Sequence, residues 1–326
     1  MSAALVLTWA MLAAPVQAPA PETTPWAEAG GRPWTSCREY ERQAEMLLRS
    51  SKSEESNGAT SWSTRARQCP NAPAVLVVAA LVELSKVPGF PPLVDLQAEL
   101  TGLAEAQRAT RRQALTWLRR ALLESERRGE PPPTLTHYFV GYAALGLGDW
   151  AAARTALREA ERLGEVESWR SDRALAVAAL LAGDLAEALR LAHRSREFAP
   201  GADRPTSIQI LALIYDRAGA PDAAQRELAA LRAQNYGEDR ATVETVLPLP
   251  ERIYLQALQQ GPRNPGNAMR LWDAYLACPE PEAPERRLVE QRRDELRPRG
   301  SIVPTGPTGP TSPAGPTSPA VPGRKI

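Results

Sequence analysis

The sequence predicts an all-α fold: an α-solenoid of tandem antiparallel helix pairs between two segments that do not belong to it. Three observations carry this. From about residue 35 to 297 the chain is rich in Ala, Leu and Arg at helical spacing, without alternating β-branched runs. Gly148, Gly183 and Gly219 are spaced 35 and then 36 residues apart, each ahead of a similar pattern of small and apolar residues. Of the 31 prolines, five fall within Pro15–Pro33 and seven within Pro304–Pro322, so the middle is less broken than the total suggests.

The chain has 326 residues, with 39 Lys plus Arg against 38 Asp plus Glu, a formal net charge of +1. That balance argues against nucleic acid as a partner, which normally requires a strong basic excess. No apolar run reaches the roughly 18 residues of a membrane span. Two His and three Cys leave little for a zinc site.

Residues 1–20 have the makings of a signal peptide, with an apolar core from Ala4 to Ala14 followed by small residues and Pro. No Lys or Arg precedes that core, so a misassigned start or a disordered Ala/Pro leader stays open as the alternative. Residues 21–34 are expected to be a linker. Residues 35–71 are expected to form a helical hairpin, with the polar loop Ser51–Thr60 between its helices. Export would allow Cys37 and Cys69 to pair across that hairpin, leaving Cys278 over; otherwise all three are ordinary thiols.

Residues 72–133 are expected to hold a degenerate helix pair. Its first helix lies at Ala74–Lys86, an insertion covers Val87–Arg111, and Ala114, Leu118 and Ala121 mark the second helix. Residues 134–236 hold three full units, starting at Thr134, Trp169 and Pro205. A small residue recurs in each first helix at Gly141, Ala176 and Ala212, and in each second helix at Ala153, Ala188 and Ala224. Two helices cross closely only where small side chains sit at the contact. The glycines suit a turn of positive φ, and Asp149 and Asp184 stand where the next helix needs a cap. Residues 246–297 give a further degenerate pair, Pro250–Gln260 and Asn267–Ala277. A capping helix follows from Pro284, with a thin seam of Leu288, Val289 and Leu296. Residues 298–326 repeat Pro-Thr-Gly-Pro and Thr-Ser-Pro and offer nothing to bury, so a disordered tail is expected.

In these units the chain resembles the tetratricopeptide repeat, a helix pair of about 34 residues. The resemblance departs where His137, Asp172 and Ile208 stand in place of a large aromatic, and where the closing proline survives only as Pro200. It implies a concave face lined by the first helices, hence a groove containing Tyr138, Tyr142, Arg170, Arg173, Gln209, Asp216 and Arg217. Tyr and Arg are the residue types that dominate binding hot spots, and the Tyr138–Tyr142 pair is expected to be exposed there. Family members that clamp a chaperone's C-terminal carboxylate carry Lys, Asn, Asn, Lys and Arg where this chain has Tyr138, Tyr142, Ala174, Thr206 and Ile210, so that subtype is not implied.

For chemistry the sequence offers little. No Gly-x-Ser-x-Gly elbow and no Gly-rich phosphate loop are present. His137 is expected to be half-buried in packing and His193 to face solvent, neither with a second ligand at helical spacing. The runs ESERRGE and ERRLVEQRRDELR suggest solvated helix faces. The expectation is therefore a non-catalytic scaffold or adaptor with no cofactor and no metal, exported, holding a protein or peptide partner. An accessory factor of a cell-envelope secretion or assembly machine is the alternative, and an enzyme with an unrecognised site the distant one.

Overall fold

A computed structural model describes residues 37–49, 59–86, 96–233, 247–278 and 283–296. The leader, the linker, the proline-rich tail and most of the Ser51–Thr60 loop lie outside the described residues. Among the described residues there are thirteen helices and no strand. They are α1 (Cys37–Arg49), α2 (Ala59–Gln68), α3 (Pro73–Ser85), α4 (Leu96–Arg128), α5 (Thr136–Leu145), α6 (Trp150–Leu163) and α7 (Ser168–Leu181). Then come α8 (Leu185–Phe198), α9 (Arg204–Arg217), α10 (Pro221–Ala233), α11 (Leu249–Gln260), α12 (Pro265–Ala277) and α13 (Ala283–Leu296). No described helix is long and apolar enough to cross a membrane.

Five successive pairs form: α3 with α4, α5 with α6, α7 with α8, α9 with α10, and α11 with α12. Through the middle of the stack the second helix of one pair packs on the first helix of the next, which is the contact pattern of a solenoid. The seams rest on the small residues. Ala153, Ala176, Ala188, Ala212 and Ala224 are all fully buried. At Gly141 an added Cβ would lie 2.5 Å from Leu157 Cγ, so only a bare backbone lets α5 and α6 approach this closely. Between α8 and α9 a buried pair of hydroxyls, Ser195 and Ser207, meet at 2.8 Å.

The turns follow from local chemistry. Gly148, Gly183 and Gly219 have φ of 79°, 77° and 78°, where an ordinary side chain would be strained. The residue after the first two is Asp149 or Asp184, whose carboxylate accepts from the backbone N–H of Ala152 or Glu187 and satisfies a donor that the helix itself cannot. Helix α5 has no cap of its own. Glu165, which follows α6 at the end of the same unit, accepts instead from the backbone N–H of Tyr138 at 3.0 Å and of His137 at 3.3 Å, so the end of the unit completes its start.

Two regions differ from the sequence expectation. The stretch expected to be an insertion to Arg111 is helical from Leu96, making α4 a single 33-residue helix. At 1.5 Å per residue it is about 50 Å long, more than twice the length of α3. Its C-terminal half lies along α3, where Arg120 Nε donates to the Pro70 carbonyl at 2.7 Å and Arg128 bonds the Asn71 carbonyl. Its N-terminal half overhangs, and α4 also touches α12 from the far end of the stack. The second difference concerns the charged runs. Glu124 and Ser125 of ESERRGE are buried, and Glu285 and Arg292 of the last helix are bonded into the interior.

The N-terminal helices α1 and α2 both pack on α3. Arg65 lies over the rings of Tyr40 and Trp62, at 4.7 and 4.5 Å, holding α1 against α2.

Candidate functional site

The seven residues expected to line a groove all stand on first helices, but the side chains of five are buried. Tyr138 of α5, Arg173 of α7 and Gln209 of α9, which take the same place in successive units, are 5%, 4% and 4% exposed. Asp216 is equally buried, and the Arg217 side chain retains 3% of its exposure. Tyr142 and Arg170 are half-buried. The expected open groove is therefore corrected: the Tyr138 ring stacks obliquely on Tyr142 at 4.9 Å and meets Phe139 edge-on at 5.4 Å, inside rather than on a surface. Position along a repeat shows which way a side chain points. It does not show what another part of the chain places over it.

A polar cluster containing Asp216 and Arg217 lies where α9, α11, α12 and α13 converge. Arg217 Nη2 donates to both carboxylate oxygens of Glu251, at 2.6 and 2.7 Å, and to the Tyr275 hydroxyl at 3.0 Å. Its Nη1 sits 2.6 Å from Glu285. The neighbouring Asp216 accepts from the Tyr254 hydroxyl at 2.5 Å and from Arg292 at 2.9 Å. Arg217 also lies over the Tyr254 ring at 4.3 Å. Burial by itself would lower the Arg217 pKa, but Glu251, Tyr275 and Glu285 outweigh it and raise the guanidinium above its ordinary value. Burial and then Asp216 push the Tyr254 hydroxyl well up, so it serves as a donor at any ordinary pH. Each charge here has a counter-charge, so Asp216 and Arg217 dock α13 rather than wait for a ligand.

Two further arginines, Arg173 and Arg111, are also buried. Arg173 stands beside Tyr142 and Asp203 and lies 5.1 Å from the Trp169 ring, yet its Nε and Nη1 are buried without a hydrogen-bond partner. Arg111, from the overhang of α4, donates from Nη1 to the Gly146 carbonyl at 3.1 Å. A side chain at Gly146 would collide with that guanidinium. Burial, and then the like charge of Arg252, pull Arg111 down to about 9. Neither Arg111 nor Arg252 was expected here from the sequence. Arg111 fell in the presumed insertion, and Arg252 lies about 140 residues away from it in the chain.

The remaining expectations can be placed directly. Cys37 and Cys69 are joined by a disulfide, with Cα atoms 5.5 Å apart, linking the start of α1 to the end of α2. Cys278 is a buried free thiol that burial, then Glu251, push up to about 11. His137 is partly buried with Nδ1 2.7 Å from Glu165. His193 is exposed and faces the Tyr215 hydroxyl at 2.9 Å. Among the described residues no group of three His, Cys, Asp or Glu is placed to hold a metal. Compared with models of known families, with curated proteins and with solved structures, the chain has no match in any of the three.

Proposed function

We propose that this chain is a non-catalytic, tetratricopeptide-like scaffold or adaptor that holds a protein or peptide partner against the inner side of its helix stack. The observation that supports this is the stack itself. Five pairs contact mainly their neighbours, an arrangement that builds an extended surface rather than a reaction cleft. Tyr142 and Arg170 are the parts of the expected binding face that retain solvent access, so they carry the contact.

The test is affinity capture of the full chain from its own cell fraction, in parallel with a Tyr142→Ala/Arg170→Ala variant. Loss of one specific protein from the variant capture, with helicity by circular dichroism unchanged, is the expected result. Identical captures would remove the claim for this face. Arg173 is unsuitable for that test because truncating so buried a group perturbs the fold as well.

The Cys37–Cys69 disulfide supports export, since such bonds persist in oxidising compartments. It equally suits an accessory factor of a cell-envelope assembly machine, with the proline-rich tail as spacer. Trapping free thiols in intact cells before lysis checks the compartment, and labelling of Cys37 and Cys69 there would refute export. Deleting 304–326 separates the two roles: the envelope reading expects lost assembly with normal folding.

A further inference from the structure

We propose that α13 is a displaceable internal occupant of a partner site, and that the place it covers on α9 and α12 accepts a partner's helix of the same chemistry: an acidic, an apolar and a basic residue at i, i+4 and i+7. The proposal rests on the scaffold reading above and names the class of partner.

In α13 those three places are Glu285, Val289 and Arg292, which share one helix face over two turns. Glu285 pairs with Arg217 Nη1 at 2.6 Å and accepts from the Tyr275 hydroxyl at 3.4 Å. Arg292 pairs with Asp216 at 2.9 Å, and Val289, between them in sequence, is fully buried. Beside this face, Arg286 donates to the Leu276 carbonyl at 2.7 Å and Arg293 pairs with Asp273 at 3.3 Å. Asp216 and Arg217 are two of the seven residues expected to face a partner, so the chain's own last described helix sits where a partner helix would bind.

The anchoring of α13 is thin for a helix of 14 residues. Val289 is the one residue of it that is buried, whereas α12 buries Ala268, Leu271, Trp272, Ala274 and Tyr275. Helix α1 also buries a single residue, Ala44, but the Cys37–Cys69 disulfide ties it down, and no such bond ties α13. What holds α13 is mostly charged contact, whose net worth is small because each group gives up water to make it. A helix with so few buried apolar contacts opens at low free-energy cost.

The floor beneath α13 does not depend on it. Glu251 holds Arg217 Nη2 through both carboxylate oxygens, the Arg217 guanidinium lies 4.3 Å from the Tyr254 ring, and the Tyr254 hydroxyl donates to Asp216. Departure of α13 therefore frees Arg217 Nη1 and Asp216 Oδ1 as a positive and a negative handle on adjacent residues, already positioned. A helix laid the same way with its two charges exchanged would meet like with like, so the order of acid and base carries the specificity.

The probe is a fluorescein-labelled synthetic peptide of residues 283–296, titrated by anisotropy into the full chain and into a full-length Glu285→Gln/Arg292→Gln variant, whose own α13 lacks both charges. The variant should bind the peptide at least about 10-fold more tightly than the parent, because an occupied site lowers apparent affinity by the fraction left open. The same peptide carrying Glu285→Arg and Arg292→Glu should bind neither. Hydrogen exchange of the unmodified chain adds a measure that needs no variant: amides of α13 should exchange well before those of α11 and α12. Equal affinity for parent and variant, no binding to the variant, binding of the charge-exchanged peptide, or α13 amides that open only together with α11 would overturn the proposal. A parent that sediments as a dimer and becomes monomeric on Glu285→Gln/Arg292→Gln would assign the site to a second copy and overturn it as well. None of these outcomes bears on capture by the Tyr142→Ala/Arg170→Ala variant, so failure here is distinct from failure of the scaffold reading.

Discussion

Helix α9 takes part in two interiors of opposite character. Along its contact with α10 the fully buried Leu211, Ala212 and Ala224 are apolar, and close packing provides the stabilisation. One turn further on, Asp216 and Arg217 are as deeply buried, and there the contacts are charged hydrogen bonds to Glu251, Tyr254, Tyr275, Glu285 and Arg292. The apolar seam repeats from unit to unit and needs only its own pair of helices. The charged cluster occurs once and needs residues from four helices. The first sort of interior stacks units, whereas the second ends the stack by fixing where α13 lies. Their responses to substitution should differ accordingly.

The largest effect is expected at the charged end. Arg217→Ala would leave Glu251 buried without its counter-charge, at a loss of about 3–5 kcal/mol in chemical denaturation. Replacing Arg217 and Glu251 together with Met and Leu should recover most of that loss, because the cost lies in the orphaned charge and not in the missing bond. A double variant as unstable as the single one would show that the ion pair itself, and not the orphaned charge, accounts for the loss.

At the apolar seam, Gly141→Ala sets two terms against each other. Alanine gains about 1 kcal/mol of helix propensity over glycine. Its Cβ would also lie 2.5 Å from Leu157 Cγ and 3.3 Å from the Ala153 carbonyl oxygen. Leu157 is fully buried and cannot swing aside, so the steric term of about 1–3 kcal/mol wins. A net loss of up to about 2 kcal/mol is expected, and a more stable variant would mean that α5 and α6 are less tightly joined than the geometry shows.

The smallest effect concerns Asp172, which is buried with both carboxylate oxygens lacking a hydrogen bond and Arg194 3.3 Å away on the outside. Burial raises its pKa, and Arg194 offsets this only in part. The folded state then keeps a proton that the unfolded chain has already released. Stability therefore falls as pH rises from the ordinary carboxylate range through the raised value, and the penalty persists at neutral pH. Asp172→Asn should accordingly be as stable as the parent in acid and more stable at pH 7, by about 1 kcal/mol or less. Melting curves across pH 3–8 check this, and a variant weaker at neutral pH would show that Arg194 is the stronger influence.

The small residues, glycine turns and Asp caps could be seen in the sequence because each acts over a single helix pair. Spacing alone thus placed the helices α5 to α10, and similar patterns located α3, α11 and α12 to within a few residues. The candidate site was less legible. Tyr138 and Arg173 were expected to line an open groove and are buried, and Arg111 was assigned to an insertion that is helix.

What the sequence determined by itself is the sort of fold, since a recurring Gly or Ala at a helix crossing is a short-range steric requirement. Only the tertiary structure decided which inner-side residues face solvent and which charges are paired. Burial and electrostatic pairing are set by what lies nearby in space: for Arg217 that is Glu251, 34 residues on, and for Asp216 it is Arg292, 76 residues on. No local pattern encodes distances of that kind.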